Sequence, residues 1–246
     1  MKFEKTTRIS RLTTIFLREQ LREPISLLWT LISPCALFYF ITYNSATAGV
    51  NNENYTQSTS GFYAYVACTV AFFGVAFYIV GRRESGFIRS FIYTSEAKTI
   101  FLTSHLICYL LAATAYCTTF YIITKPGFGP YSFTEFINTL YRFLICFIIF
   151  CSPALLLANC KLKFQSANTV ISILIFTMIL LALLTPKTNS QVLEAISIAN
   201  IFSISKSIMD GSTRAEPTLI VASLVLSLTL AMTSAKLRIN PVWSRY

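Results

Sequence analysis

From residue 25 onward the chain alternates long apolar runs with short polar ones. Ile25 to Tyr43, Gly61 to Val80, Thr99 to Thr124, Phe136 to Asn159, Ala167 to Thr185 and Pro217 to about Ala235 are apolar almost throughout. A hydrocarbon core about 30 Å thick is crossed by roughly 20 helical residues at 1.5 Å each. The runs are continuously apolar rather than alternating, which predicts helices over barrel strands. In lipid, backbone groups must be satisfied within the segment, so the pattern predicts an all-α integral membrane fold with six transmembrane helices. Residues 1–246 form a single transmembrane domain on this reading.

The polar stretches between the runs carry the remaining organisation. In residues 2–23, Arg8, Arg11, Arg18 and Arg22 fall within an arc of about 80° at 100° per residue, while Ile9, Leu12, Phe16, Leu17 and Leu21 lie outside it. This predicts an N-terminal amphipathic interfacial helix with its arginines toward lipid phosphates. Pro24 suits the first turn of the next helix, and Pro34 predicts a kink within it. Residues 44–60 hold no Lys or Arg and are expected to form an outer loop. Residues 81–98 hold the densest mixed charge of the chain interior. Lys125 to Pro130 is a loop with several helix breakers, Cys160 to Gln165 is a short basic turn, and Pro153 lies within the fourth run. Residues 186–216 are too polar to cross; Val192 to Met209 is expected to form one or two short outer helices between spans five and six.

Composition agrees with this pattern. The 246 residues are 54% hydrophobic and 12% charged, against roughly 25% charged in an ordinary soluble domain, and the mean hydropathy is +0.61. The formal net charge is +10, but the basic residues flank apolar runs instead of forming one soluble face, so no nucleic-acid partner is expected. With both termini cytoplasmic, fifteen of the twenty Lys and Arg lie inside, as the positive-inside rule requires. A multi-pass protein of the bacterial inner membrane is therefore expected, without a cleaved signal peptide. The seven cysteines sit inside or at the ends of apolar runs with no C-x-x-C pair, and are read as small buried hydrophobes.

Candidate chemistry is sparse. No G-x-x-x-x-G-K-[ST] phosphate loop is present, so the chain is not expected to be an enzyme or to bind a cofactor or metal itself. His105, the single histidine, stands near the inner end of the third span. A structural hydrogen bond between helices is its plain reading, proton coupling or lipid contact the sharper one. Arg142 is the one clear ionisable residue within a span; its side chain either snorkels outward or draws an anionic substrate. On the second span, Phe72, Phe73 and Phe77 either pack or line a translocation path. Spans without carboxylates do not favour a proton-driven carrier, so energy is expected from elsewhere.

The stretch Arg83-Glu84-Ser85-Gly86, followed by apolar Ile88, Phe91 and Ile92 and then Thr94, resembles the first cytoplasmic loop of ABC-2 type transporter permeases, with Ser95 where that family usually has Pro. Phe16 to Pro24 followed by Leu27 to Pro34 resembles the family's interfacial helix and first span. Asn200 to Gly211 resembles its outer segment, with Ile201 in place of a frequent Pro. The resemblance covers essentially the whole chain. It implies the membrane subunit of an ATP-driven exporter, paired with a second membrane subunit as a homodimer and docked on a separate ABC ATPase subunit that binds ATP and Mg. Arg82, Arg83, Glu84, Gly86, Phe87 and Arg89 would be the ATPase-coupling residues, with Arg18, Glu19 and Arg22 on the interfacial helix. The cargo implied is a glycan, lipid-linked, drug-like or peptide substrate. A motor-independent secondary transporter, or an immunity or sensory membrane subunit, is the alternative.

Overall fold

The computed structural model describes residues 2–47, 54–92, 94–184, 200–213 and 215–237, and among these every regular element is a helix. The first is α1 (Lys2–Leu21), followed by α2 (Pro24–Thr47), which contains Pro34. The next long helix is continuous from Tyr55 to Glu84 but changes pitch twice. It comprises α3 (Tyr55–Thr69), a π-helical segment (Val70–Phe77) and α4 (Tyr78–Glu84). After a turn at Ser85 and Gly86 come α5 (Phe87–Phe91) and the 30-residue α6 (Ser95–Thr124), which runs into a single 3-10 turn (Lys125–Phe128). The chain then forms α7 (Phe133–Ala158), α8 (Phe164–Leu184), a short α9 (Ile201–Asp210) and α10 (Ala215–Lys236).

Among the described residues five helices are long and apolar enough to cross a membrane: Tyr55–Glu84, Ser95–Phe128, Phe133–Ala158, Phe164–Leu184 and Ala215–Lys236. Within α2 the apolar stretch is Thr30–Thr42. The helices extend past the apolar runs read from the sequence, because capping residues outside those runs set their ends. Thr94 accepts a hydrogen bond from the Ala97 N–H at 3.1 Å, and Glu96 places a carboxylate in the first turn of α6, where the helix dipole favours it. Ser132 accepts from Glu135 N–H at the start of α7, a Ser-x-x-Glu sequence of the capping-box type. The expected outer helices fall partly on residues 185–199, outside the described residues, as does the end of the basic tail from residue 238.

The core is built around the Tyr55–Glu84 helix and α7. Val66, Ala67, Cys68, Ala71, Val75 and Ala76 are buried where the first of these meets α6, α7 and α9. Small side chains allow close backbone approach, the usual basis of packing between apolar helices. Gly74 is the extreme case, since a Cβ there would stand 2.3 Å from two ring carbons of Tyr109. Six cysteines are buried and Cys160 is exposed, all with free thiols. α8 and α10 are covered least, leaving Ile173, Phe176, Leu183, Ile220, Leu224 and Leu228 exposed.

Candidate functional site

α1 lies along α6 with Arg8, Arg11 and Arg18 on its exposed side, and Arg22, also exposed, in the turn just after it. Its opposite face is packed. Thr13 Oγ1 donates to the Ser104 carbonyl at 3.3 Å, Ser104 Oγ donates to the Ile9 carbonyl at 3.3 Å, and the Phe16 ring meets Phe101 edge-on at 5.7 Å. The helix is therefore fastened to the bundle as well as amphipathic. Near its end, Glu19 joins it to α4: Tyr78 donates to Glu19 Oε2 at 2.8 Å, and Arg82 pairs with the same carboxylate. Arg82 also donates to the Tyr78 hydroxyl at 2.5 Å, with its guanidinium carbon 4.7 Å from the Tyr78 ring centre and 4.9 Å from that of Phe87. One half-buried cation thus ties α1, α4 and α5 together.

Arg83, read from the sequence as a polar contact for a partner, lies instead inside the protein at 1% exposure. Its Nη1 donates to the carbonyls of Ala158 at 3.1 Å and Cys160 at 3.0 Å, its Nη2 to the Leu162 carbonyl, and its Nε to Glu84 Oε1 at 3.1 Å. The carbonyls at a helix C-terminus have no intrahelical donors and carry the negative end of the dipole. The planar fork of an arginine meets several of them at once. Arg83 is a clamp on the α7–α8 turn, and Glu84 is its internal counterion. Both side chains are turned into the protein, at 1% and 8% exposure.

What faces outward is the segment after the turn. Gly86 adopts φ +78°, a left-handed conformation costly for residues with a Cβ, and it redirects the chain into α5. There Ile88 is buried, Phe87 is half-buried, and Arg89, Ser90 and Phe91 are exposed, Phe91 by 68%. Of the six residues proposed for coupling, Arg89 is the charged one on the surface.

His105 is fully buried beside the π-helical segment, with Nε2 3.4 Å from the Val75 carbonyl. Its ring stacks on Tyr78 at 4.6 Å and lies 4.8 Å from Tyr109. This is a hydrogen bond between helices inside an aromatic cage. The π segment that His105 faces departs from the regular pitch of α3, a distortion that pattern reading does not detect.

The expected path residues divide. Phe72 is buried at 1% exposure against Phe150, whereas Phe73 and Phe77 are half-buried and Phe77 lies 4.5 Å from the Phe164 ring. Arg142 neither extends freely outward nor stands open: Nη1 donates to the Met209 carbonyl at 3.3 Å, at the C-terminus of α9. Gly211, at φ +88°, closes that helix, and a Cβ on it would stand 2.7 Å from Arg142 Nη1. At this end of the bundle Lys125 is also engaged, paired with Glu135 at 2.5 Å and 4.8 Å from the centre of the Tyr55 ring. Among the described residues no group of three or more His, Cys, Asp or Glu gathers to hold a metal ion.

The five apolar helices of spanning length among the described residues are consistent with a multi-pass membrane protein. The chain is 26% identical over 235 residues to Protein McbE of Escherichia coli, spanning 95% of this chain and 98% of that relative. The similarity runs from end to end instead of being confined to one helix. No protein-family model matches the chain, and no solved structure matches it.

Proposed function

We propose that the chain is the membrane permease of an ATP-driven exporter, with α5 as the surface on which a separate ATPase subunit pushes. The observation that carries this reading is the contrast between α5 and its roots. Arg89, Ser90 and Phe91 face outward, while Arg82 and Arg83 immediately before them are tied to α1, α4 and the α7–α8 turn. A force on α5 would be passed to three elements through charge-assisted hydrogen bonds, without a slack joint other than Gly86. Closure of a nucleotide-driven partner would then tilt packed helices as bodies.

In this reading α2 is a sixth span, both termini and α5 face the cytoplasm of a bacterial inner membrane, and two identical chains pair. The exposed apolar faces of α8 and α10 meet lipid or the second copy. ATP and Mg reside in the ATPase, and the cargo is a glycan, lipid-linked, drug-like or peptide molecule. Nucleic acid has no place in the assembly.

The test is charge reversal on the exposed face of α5. Arg89→Glu combined with Phe91→Ala should abolish recovery of the ATPase with the tagged chain while leaving insertion and thermal stability unchanged. Unchanged recovery and unchanged export would remove α5 from this role.

A further inference from the structure

Between Val70 and Phe77 the Tyr55–Glu84 helix leaves α pitch. On the entry side the Val70 N–H reaches the carbonyls of Val66 and Ala67, and on the exit side the Tyr78 N–H takes the Val75 carbonyl. A wide turn is thus set between turns of ordinary or tighter pitch. Such bulges close on i→i+5 bonds and are frequent at functional sites. A bulge holds one residue more than α-helix of the same height, and one residue rotates all that follows by roughly 100° about the axis. Two side chains of α6, one turn apart, meet the wide turn. The Tyr109 ring occupies the notch at Gly74, and His105 Nε2 lies 3.4 Å from the Val75 carbonyl. His105 Nδ1 is buried without a hydrogen-bond partner, so the imidazole is bonded to the segment alone.

Beyond the segment stand two adjacent arginines. Arg83 fills the carbonyl cluster of Ala158, Cys160 and Leu162, and Arg82 pairs with Glu19. If the bulge relaxes to α pitch with α3 fixed, the place of each α4 residue passes to the residue before it. Arg82 then stands where Arg83 stood, and the carbonyl cluster meets a guanidinium in either register. We propose that the π segment is a two-state register switch. When Tyr109 and His105 withdraw, α4 advances by one residue, Arg82 replaces Arg83 on the α7–α8 turn, and Glu19 of α1 is released. Arg83 has a carboxylate one residue on, at Glu84, and Arg82 does not, which keeps the observed register the ground state. The contacts that set the state come from α1 and α6. The device stands on this geometry whether or not an ATPase docks on α5.

Side chains of α4 lie roughly 5–6 Å from the axis, so the rotation moves them by about 8 Å. The experiment uses the full-length protein in lipid nanodiscs, with Cys160→Ser and spin labels at Ser85→Cys, just after α4, and Ala235→Cys, near the end of α10. Both label sites are exposed. Electron–electron double resonance should give one dominant distance without further change. His105→Phe, which keeps a ring and drops the bond, should add a second distance shifted by several ångströms and by no more than about 8 Å. Adding Arg82→Gln should remove that second distance, because no arginine then reaches the carbonyls in the shifted register. A bundle merely loosened by the loss of His105 would instead spread further when Glu19 also loses its partner. Gly74→Ala, which sets a Cβ against the Tyr109 ring, should give the same second distance by an independent route, and decides the matter if His105→Phe does not insert. A single unshifted distance in these variants, or a second distance that survives Arg82→Gln, would overturn the proposal.

Discussion

The guanidinium of Arg83 reaches the carbonyl of Cys160 at 3.0 Å, across 77 residues of sequence, and takes the Ala158 carbonyl with the same nitrogen. Removing one partner of a buried, charge-assisted network leaves the remainder unsatisfied and costs about 3–5 kcal/mol. Arg83→Gln should therefore lower thermal stability in detergent sharply and reduce the folded yield. Arg83→Lys should recover little, because an ammonium lacks the fork. Arg89→Gln, six residues further on and exposed, should stay within about 0.5 kcal/mol of wild type. Thermal unfolding followed by exposure of the buried thiols measures all three.

Gly74 and Tyr109 form a second coupled pair. The ring leaves no room for a methyl group, so Gly74→Ala should destabilise by about 1–3 kcal/mol. Tyr109→Ala should itself be destabilising by loss of a buried ring. The double variant should cost less than the sum of the two singles by about 1 kcal/mol or more, since the second change creates the space that the first requires. Strict additivity in a thermal double-mutant cycle would deny the clash.

Arg142 and Gly211 close α9 together. Gly211→Ala must adopt a positive φ while meeting the guanidinium, and a strained backbone alone costs on the order of 1 kcal/mol. Arg142→Ala removes the obstruction and the bond to the Met209 carbonyl at once. Both should speed hydrogen exchange in α9 while sparing α6. An arginine acting mainly as a substrate attractor would change transport and leave exchange in α9 as it was.

The ion pair of Glu19 with Arg82 joins α1 to α4. With Glu19 about two-fifths and Arg82 about one-fifth exposed, its loss should be worth no more than about 1 kcal/mol. Glu19→Gln should accordingly leave global unfolding nearly unchanged yet raise protease access to the end of α1. Hydrogen exchange resolved along the chain checks the distinction.

The apolar runs made the helical class and the existence of the long helices legible, because run length directly encodes the thickness a helix can cross. Their ends were less legible. Tyr55 to Ser60 reads as polar loop, yet it is the first turns of α3, held by a Tyr55 hydroxyl within 2.8 Å of Tyr63 and 2.9 Å of Thr124. The exposure of the arc arginines followed from periodicity along one helix. The burial of Arg83 did not, because its partners are backbone carbonyls of a distant turn and carry no residue signature. Arg142 was singled out by the rarity of charge in an apolar run, but the same pattern could not reveal that a returning helix end lies beside it. The π segment, in which Gly74 lies against the ring of Tyr109 from another helix, leaves no signature in the apolar pattern.

The most direct measurement of the central claim is the mass and composition of the complex recovered with the tagged full-length chain in mild detergent. Two copies of this chain with two copies of an ATP-binding subunit, the latter lost with Arg89→Glu and Phe91→Ala, is the result the account predicts. A chain that purifies in several detergents without a nucleotide-binding partner, while still active in cells, would contradict it.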